Sequence, residues 1–173
     1  MNDSRNVVDE FKGLSEDVII RTLDERGVGL HIAIENLERD FNMGSIVRTA
    51  NAFGVRQVHV VGRRQWNKRG AMATDRYLHV TYHQTVDDFA AAIEDGWQVT
   101  IVDNIEGATD IVRTELPKHT VLVFGSEKSG VSNEMKAVAD SIVAIRQLGS
   151  TRSLNVAAAA AIAIYEWTRR HVS

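Results

Sequence analysis

Short apolar stretches alternate with amphipathic ones along the chain, and this predicts an α/β fold built on a parallel sheet. Two observations carry the prediction. Leu30–Ile34, Gln57–Val61 and Val121–Phe124 are nearly continuous in apolar residues, the pattern of strands buried on both faces. The segments between them place apolar residues three and four apart, the spacing of one helix face, so helices cover the sheet on both sides. At 173 residues the chain is long enough for one sizeable core. No repeat or linker divides it, so residues 1–29 read as a short N-terminal helical extension and residues 30–173 as a single domain.

Each element follows from local chemistry. Val7 to Arg26 predicts one or two short amphipathic helices, ended by Gly27 and Gly29. Leu30–Ile34 is the first strand. In Met43–Phe53 the apolar residues Ile46, Val47, Ala50 and Phe53 form a helix face, and Gly54 suits the left-handed residue that closes such a helix. Gln57–Val61 is the second strand, followed by a basic loop through Gly70. Tyr77–Tyr82 predicts a third strand, Val86–Asp95 a helix, and Gln98–Val102 a fourth strand. Val121–Phe124 is the fifth, Ser132–Ala139 a helix, and Ser141–Ile145 the sixth. The last helix is rich in alanine from Ala157 to Ala161, the strongest helix former and one that lets another backbone approach closely. Ser153 is the expected N-cap. The loop before it, with Gly149 and Ser150, is expected to form a tight pocket, and the lone Pro117 a surface connection.

Composition narrows the function. The chain has no cysteine, which excludes disulfides, thiol catalysis and cysteine-ligated zinc. No apolar run approaches the roughly 20 residues that span a bilayer, and the start lacks the basic and apolar regions of a signal peptide; a cytoplasmic protein is expected. The net charge is −3, yet the charges are segregated. From Asn36 to Arg76 eight cations face three carboxylates, a patch that attracts phosphate on an otherwise acidic protein. Arg63, Arg64, Lys68 and Arg69 are its densest part and are expected to hold phosphate.

In a parallel sheet, ligands bind beyond the C-terminal ends of the strands. Those positions hold Glu35 to Asn42, Asp103-Asn104, Gly125 to Gly130, and Ile145 to Asn155. Gly125–Gly130 has the glycine spacing of a phosphate loop, but Val131-Ser132 stand where that motif requires lysine and a hydroxyl residue. No dinucleotide fingerprint follows the first strand. His79 and His83 are four apart, which in a strand is about 13 Å, too far for one metal; no metal is expected. What remains is a polar, glycine-rich site with one carboxylate, Glu127, near an arginine, Arg48, whose planar guanidinium suits an anionic substrate.

Three segments together resemble one family. Asn42-Met-Gly-Ser-Ile-Val-Arg-Thr-Ala-Asn-Ala-Phe-Gly54, Val121-Leu-Val-Phe-Gly-Ser-Glu-Lys-Ser-Gly130, and Ile145-Arg-Gln-Leu-Gly149 with Ser153-Leu-Asn-Val156 are similar, in order, to the motifs of the SpoU-type (TrmH-like) RNA ribose 2′-O-methyltransferases of the SPOUT superfamily. The resemblance runs over about residues 30 to 170. It implies an α/β knot, with the C-terminal loop and helix threaded through another loop, and a homodimer. It also implies S-adenosylmethionine as cofactor, touched by Val102, Gly125, Ile145 and Leu154. Asn42, Arg48, Glu127, Ser153 and Asn155 would be the catalytic set, acting on a ribose 2′-hydroxyl of tRNA or rRNA. In this reading Arg48 grips the adjacent phosphate, and each site draws on both chains of the dimer. Arg146 stands where the family usually has proline. The alternative is a catalytically silent protein of the same fold that binds RNA or S-adenosylmethionine.

Overall fold

The computed structural model describes residues 6–35, 40–62, 74–126, 129–151 and 153–172, with the backbone alone at residues 40 and 41. Seven strands form one sheet: β1 (Leu30–Glu35), β2 (Gln57–Val61), β3 (His79–His83), β4 (Gln98–Val102), β5 (Thr109–Asp110), β6 (Thr120–Phe124) and β7 (Ser141–Ala144). Their order is β3-β2-β1-β6-β4-β7-β5, and every strand pairing is parallel. The expected parallel α/β sheet is therefore present. The helices are α1 (Glu16–Glu25), α2 (Asp40–Ala52), α3 (Val86–Ala91), α4 (Asn133–Val138) and α5 (Val156–His171).

Two cores flank the sheet because strand side chains alternate between faces. Ile32, Ile34, Val58, Val60, Leu122 and Phe124 point to one face, where they meet Ile46, Val47 and Ala50 of α2 and Ala160, Ala163, Ile164 and Trp167 of α5. Ala33, Val61, Val121 and Val123 point to the other, against Phe89 of α3 and Met135 of α4. The alanines of α5 allow it to lie close on α2. Trp167 is 1% exposed, and its indole N–H donates to the Pro117 carbonyl at 2.9 Å, so this buried donor is satisfied.

Several boundaries differ from expectation, each for a local reason. Tyr77 does not open β3: Thr74–Tyr77 is a 3-10 turn, and Tyr77 packs with Phe11 and Ile19 of the N-terminal segment. The helix expected to Asp95 ends at Ala91, with the chain turning back at Gly96, whose φ is +87°. The two-residue strand β5 is too polar and too short to announce itself in sequence. Helix α2 starts at Asp40, earlier than expected, and Gly54 takes φ +75° behind it as anticipated.

Strand connections leave β1 and β6 in opposite directions: β1 leads to β2 on one side, β6 to β7 on the other. Neighbouring strands with divergent connections open a crevice at their C-terminal ends. Glu35 ends β1 there, 2% exposed, and its Oε2 accepts from the Ser132 amide at 2.9 Å, tying the start of α4 to the end of β1.

Candidate functional site

The last loop runs from the C-terminal end of β7 to the start of α5, on the β4 and β7 side of β6. A cleft of about 150 Å³ lies under it, lined by Val102, Asp103 and Asn104 after β4, Gly125, Ser126 and Gly130 after β6, Ile145 and Gln147 after β7, and Ser153, Leu154, Val156 and Ala159 at α5. The four residues expected to touch a cofactor, Val102, Gly125, Ile145 and Leu154, thus line one cleft, together with Ser153. Its wall divides chemically. Val102, Ile145, Leu154, Val156 and Ala159 offer an apolar surface, while Asp103, Asn104, Ser126, Gln147 and Ser153 supply carboxylate, amide and hydroxyl groups.

Ser153 is not the cap of α5. That role belongs to Asn155, whose Oδ1 accepts from the Ala157 and Ala158 amides at 2.9 and 3.3 Å. An amide can cap with its oxygen and still donate with its nitrogen. The Asn155 Nδ2 donates to Asn42 Oδ1 at 3.1 Å. Two residues from opposite ends of the chain therefore meet beside the cleft, with Asn42 6% exposed. Asn42 lies in the first turn of α2, not before it.

Arg48 is placed apart from that pair. It is six residues along α2 from Asn42, about 9 Å of helix rise and a third of a turn away in direction. It is exposed, does not line the cleft, and its side chain has no hydrogen bond or ion pair with another described residue. Within one chain, Asn42, Asn155, Ser153 and the cleft come together and Arg48 does not. Glu127 and the basic residues Arg63, Arg64, Lys68 and Arg69 lie outside the described residues.

Two glycines differ in their surroundings. At Gly125 a Cβ would overlap the backbone of Gly130 and Val131. Glycine is required there by the return of its own loop, where Ser126 and Gly130 exchange backbone hydrogen bonds at 3.0 and 2.8 Å. Around Gly149 there is open space, so no close packing shapes that part of the loop. Asp103, Ser126 and Gln147 lie in the strand-end loops where the sequence placed the site but were given no role there, and Ala159 was not named; all four line the cleft. The signal for Asp103 was its place directly after Val102 at a strand end.

His79 and His83 do not share a site. His79 meets Asp24 at 2.9 Å, where Arg56 Nε also donates to the same carboxylate oxygen at 2.8 Å. Burial opposes ionisation of Asp24, but hydrogen bonds from Arg56 and His79 outweigh it and hold the carboxyl below its usual range. His83 instead contacts His59 at 3.0 Å, and His59 contacts His31 at 3.4 Å.

Residues 29–165 match the SpoU rRNA Methylase family. The chain belongs to this family. The SpoU motifs Asn42–Gly54, Val121–Gly130 and Ile145–Val156 place Gly125, Ile145 and Leu154 in the cleft and the Asn42–Asn155 pair beside it. Over 156 residues the chain is 30% identical to the tRNA (guanosine(18)-2′-O)-methyltransferase of Escherichia coli K12, covering 88% of this chain and 68% of that one. The structure of the TrmH/SpoU tRNA modifying enzyme of A. aeolicus matches with a TM-score of 0.79 at 26% identity, over 90% of this chain and 81% of that one. The AdoMet-bound rRNA methyltransferase of Sinorhizobium meliloti matches with a TM-score of 0.76 at 27% identity, over 83% and 57%. These SpoU relatives share the parallel α/β architecture.

Proposed function

We propose that the chain is an S-adenosylmethionine-dependent RNA methyltransferase that modifies a ribose 2′-hydroxyl of tRNA or rRNA. The observation that carries this reading is the Asn42–Asn155 hydrogen bond at the rim of the cleft lined by Val102, Gly125, Ile145 and Leu154. It joins the first and third SpoU motifs beside a pocket whose two-sided chemistry fits the cofactor. The apolar wall suits a purine; the amide and hydroxyl groups suit a ribose and an amino-acid end. The cofactor, when bound, supplies a methyl group already activated on a sulfonium.

The protein's task is to hold the ribose hydroxyl in line and to stabilise the charge that develops on its oxygen. Asn42 and Asn155 orient the nucleotide at the cleft mouth, Ser153 completes its polar lining, and Glu127 keeps the role that its motif gives it. Arg48 grips the phosphate beside the ribose with paired hydrogen bonds. A guanidinium stays protonated in proteins, so Arg48 acts as an electrostatic anchor and not as the proton acceptor. The threading of the C-terminal loop into a knot, the cytoplasmic location and an RNA track over Arg63, Arg64, Lys68 and Arg69 belong to the same reading.

The partner is a second copy of the chain. Ile162 and Tyr165 on the outer face of α5 are 42% and 57% exposed, and Tyr165 meets Phe53 of α2 edge-on. An apolar face built from both helices suits a two-fold contact, and Arg48 then reaches the partner's cleft. Transfer of label from S-adenosylmethionine to purified tRNA and rRNA, followed by ribose-methylation mapping, tests the activity. Arg48→Ala is expected to remove most transfer with cofactor binding retained, and Arg48→Lys is expected not to restore it. Cofactor binding with no transfer to either RNA class would leave the catalytically silent alternative.

A further inference from the structure

Among the described residues lining the cleft, Asp103 is the one with an ionisable side chain. It follows Val102 at the end of β4, and its own amide is held by the Val143 carbonyl at 3.0 Å, so its backbone is fixed to the sheet. The carboxylate reaches across to the β6 loop. A Cβ built on Gly130 would lie 2.6 Å from Asp103 Oδ2, and Gly130 also holds φ +67°. The loop residue opposite the carboxylate is thus one whose missing side chain leaves it room. No ion pair joins Asp103 to another described residue, and the methyltransferase reading gives it no part.

We propose that Asp103 recognises the sulfonium charge of the cofactor and distinguishes it from the demethylated product. The inference rests on the cofactor reading above. The argument is one of charge matching. The amino-acid end of S-adenosylmethionine carries an ammonium and a carboxylate that balance each other, and the sulfonium is the charge left over. A single carboxylate in a partly enclosed cleft, where charges interact far more strongly than in water, neutralises that surplus. The product is a thioether with no such charge, and in its complex the Asp103 carboxylate is left without a counterion. The same residue therefore favours binding of the methyl donor and release of what remains.

Calorimetry with the full chain tests this, with four ligands compared on the native protein and on Asp103→Asn, which keeps shape and removes charge. The ligands are S-adenosylmethionine; sinefungin, whose amine puts a positive charge near the methyl position; S-adenosylhomocysteine; and methylthioadenosine, which lacks the amino-acid end. The variant is expected to lose about tenfold in affinity for the two ligands with the extra positive charge, with the two thioethers held within about twofold. Unchanged methylthioadenosine binding also shows that the pocket is still folded. Equal losses for S-adenosylmethionine and S-adenosylhomocysteine, with methylthioadenosine unaffected, would assign Asp103 to the ammonium and overturn the proposal. Equal losses for all four would assign it to the ribose hydroxyls, with the same consequence. Four unchanged affinities would remove Asp103 from recognition altogether. Failure of the native protein to bind any of the four would instead overturn the cofactor reading itself.

Discussion

Asn155 is the residue on which local structure and chemistry converge. Its oxygen caps α5 and its nitrogen holds Asn42, and the two tasks separate by mutation. Serine can cap a helix but is too short to reach Asn42. Asn155→Ser is therefore expected to lose less than about 1 kcal/mol of stability while methyl transfer falls at least tenfold. Asn155→Ala removes both groups and is expected to cost about 1–2 kcal/mol as well. Denaturant midpoints and single-turnover transfer rates, measured on the same preparations, check the separation; parallel losses in Asn155→Ser would tie the chemistry to the cap alone. Sequence inspection found Asn155 through its motif but assigned the cap to Ser153. Both residues are good caps, and the choice depends on where the last loop releases the chain, a tertiary fact.

At the scale of elements, the approach of α5 to α2 decides whether the Asn42–Asn155 pair can form. Ala160 and Ala163 are fully buried between the helix and the main core. Ala160→Leu adds three carbons where there is no room and is expected to cost about 1–3 kcal/mol, read as a lower denaturant midpoint with unchanged slope. A tolerated leucine would mean that the two helices are less closely packed than described. Strands and helices with strong apolar periodicity were legible in the chain itself: β2 and β4 have the bounds expected, and the buried face of α2 is Ile46, Val47 and Ala50. Less legible were the elements set by contacts distant in sequence. Tyr77 reads as a strand residue by composition, yet it packs on Phe11 and Ile19. Thr109–Asp110 pairs with β7 only because the sheet edge is there to receive it. For the site, motif residues identified the cleft and the strand end after Val102 was expected to hold Asp103, but that its carboxylate faces Gly130 became visible only once β4 and the β6 loop stood side by side. Likewise Arg48 could be placed on its helix from the sequence, but not its separation from the cleft.

Across the whole molecule, buried imidazoles make stability depend on pH. Burial is the main cause that lowers His59 to about 3 and His31 to about 4, with the neighbouring histidines adding to it. His83 is also lowered by burial, partly offset by Asp88. Both folded values lie below the unfolded value near 6.5. Above that pH both states are neutral and nothing is lost. As pH falls below it, the unfolded chain binds protons that the native sheet refuses, and stability drops by roughly 2 kcal/mol per pH unit between about 6 and 4. His59→Gln is expected to flatten the profile. Urea unfolding at pH 7.0, 6.0 and 5.0 measures it, and a native protein equally stable at all three would show that the rings accept protons without cost.

Because all seven strands run in one direction, the molecule has a working rim and an idle one. The turn at Asp95-Gly96, just before β4, sits on the idle rim with open space around Gly96. The five-residue strand that follows separates it from Val102 by about 17 Å. A dye, a linker or a surface tether attached at that turn would leave the cleft and its approaches open, so the chain is built to be immobilised by its back.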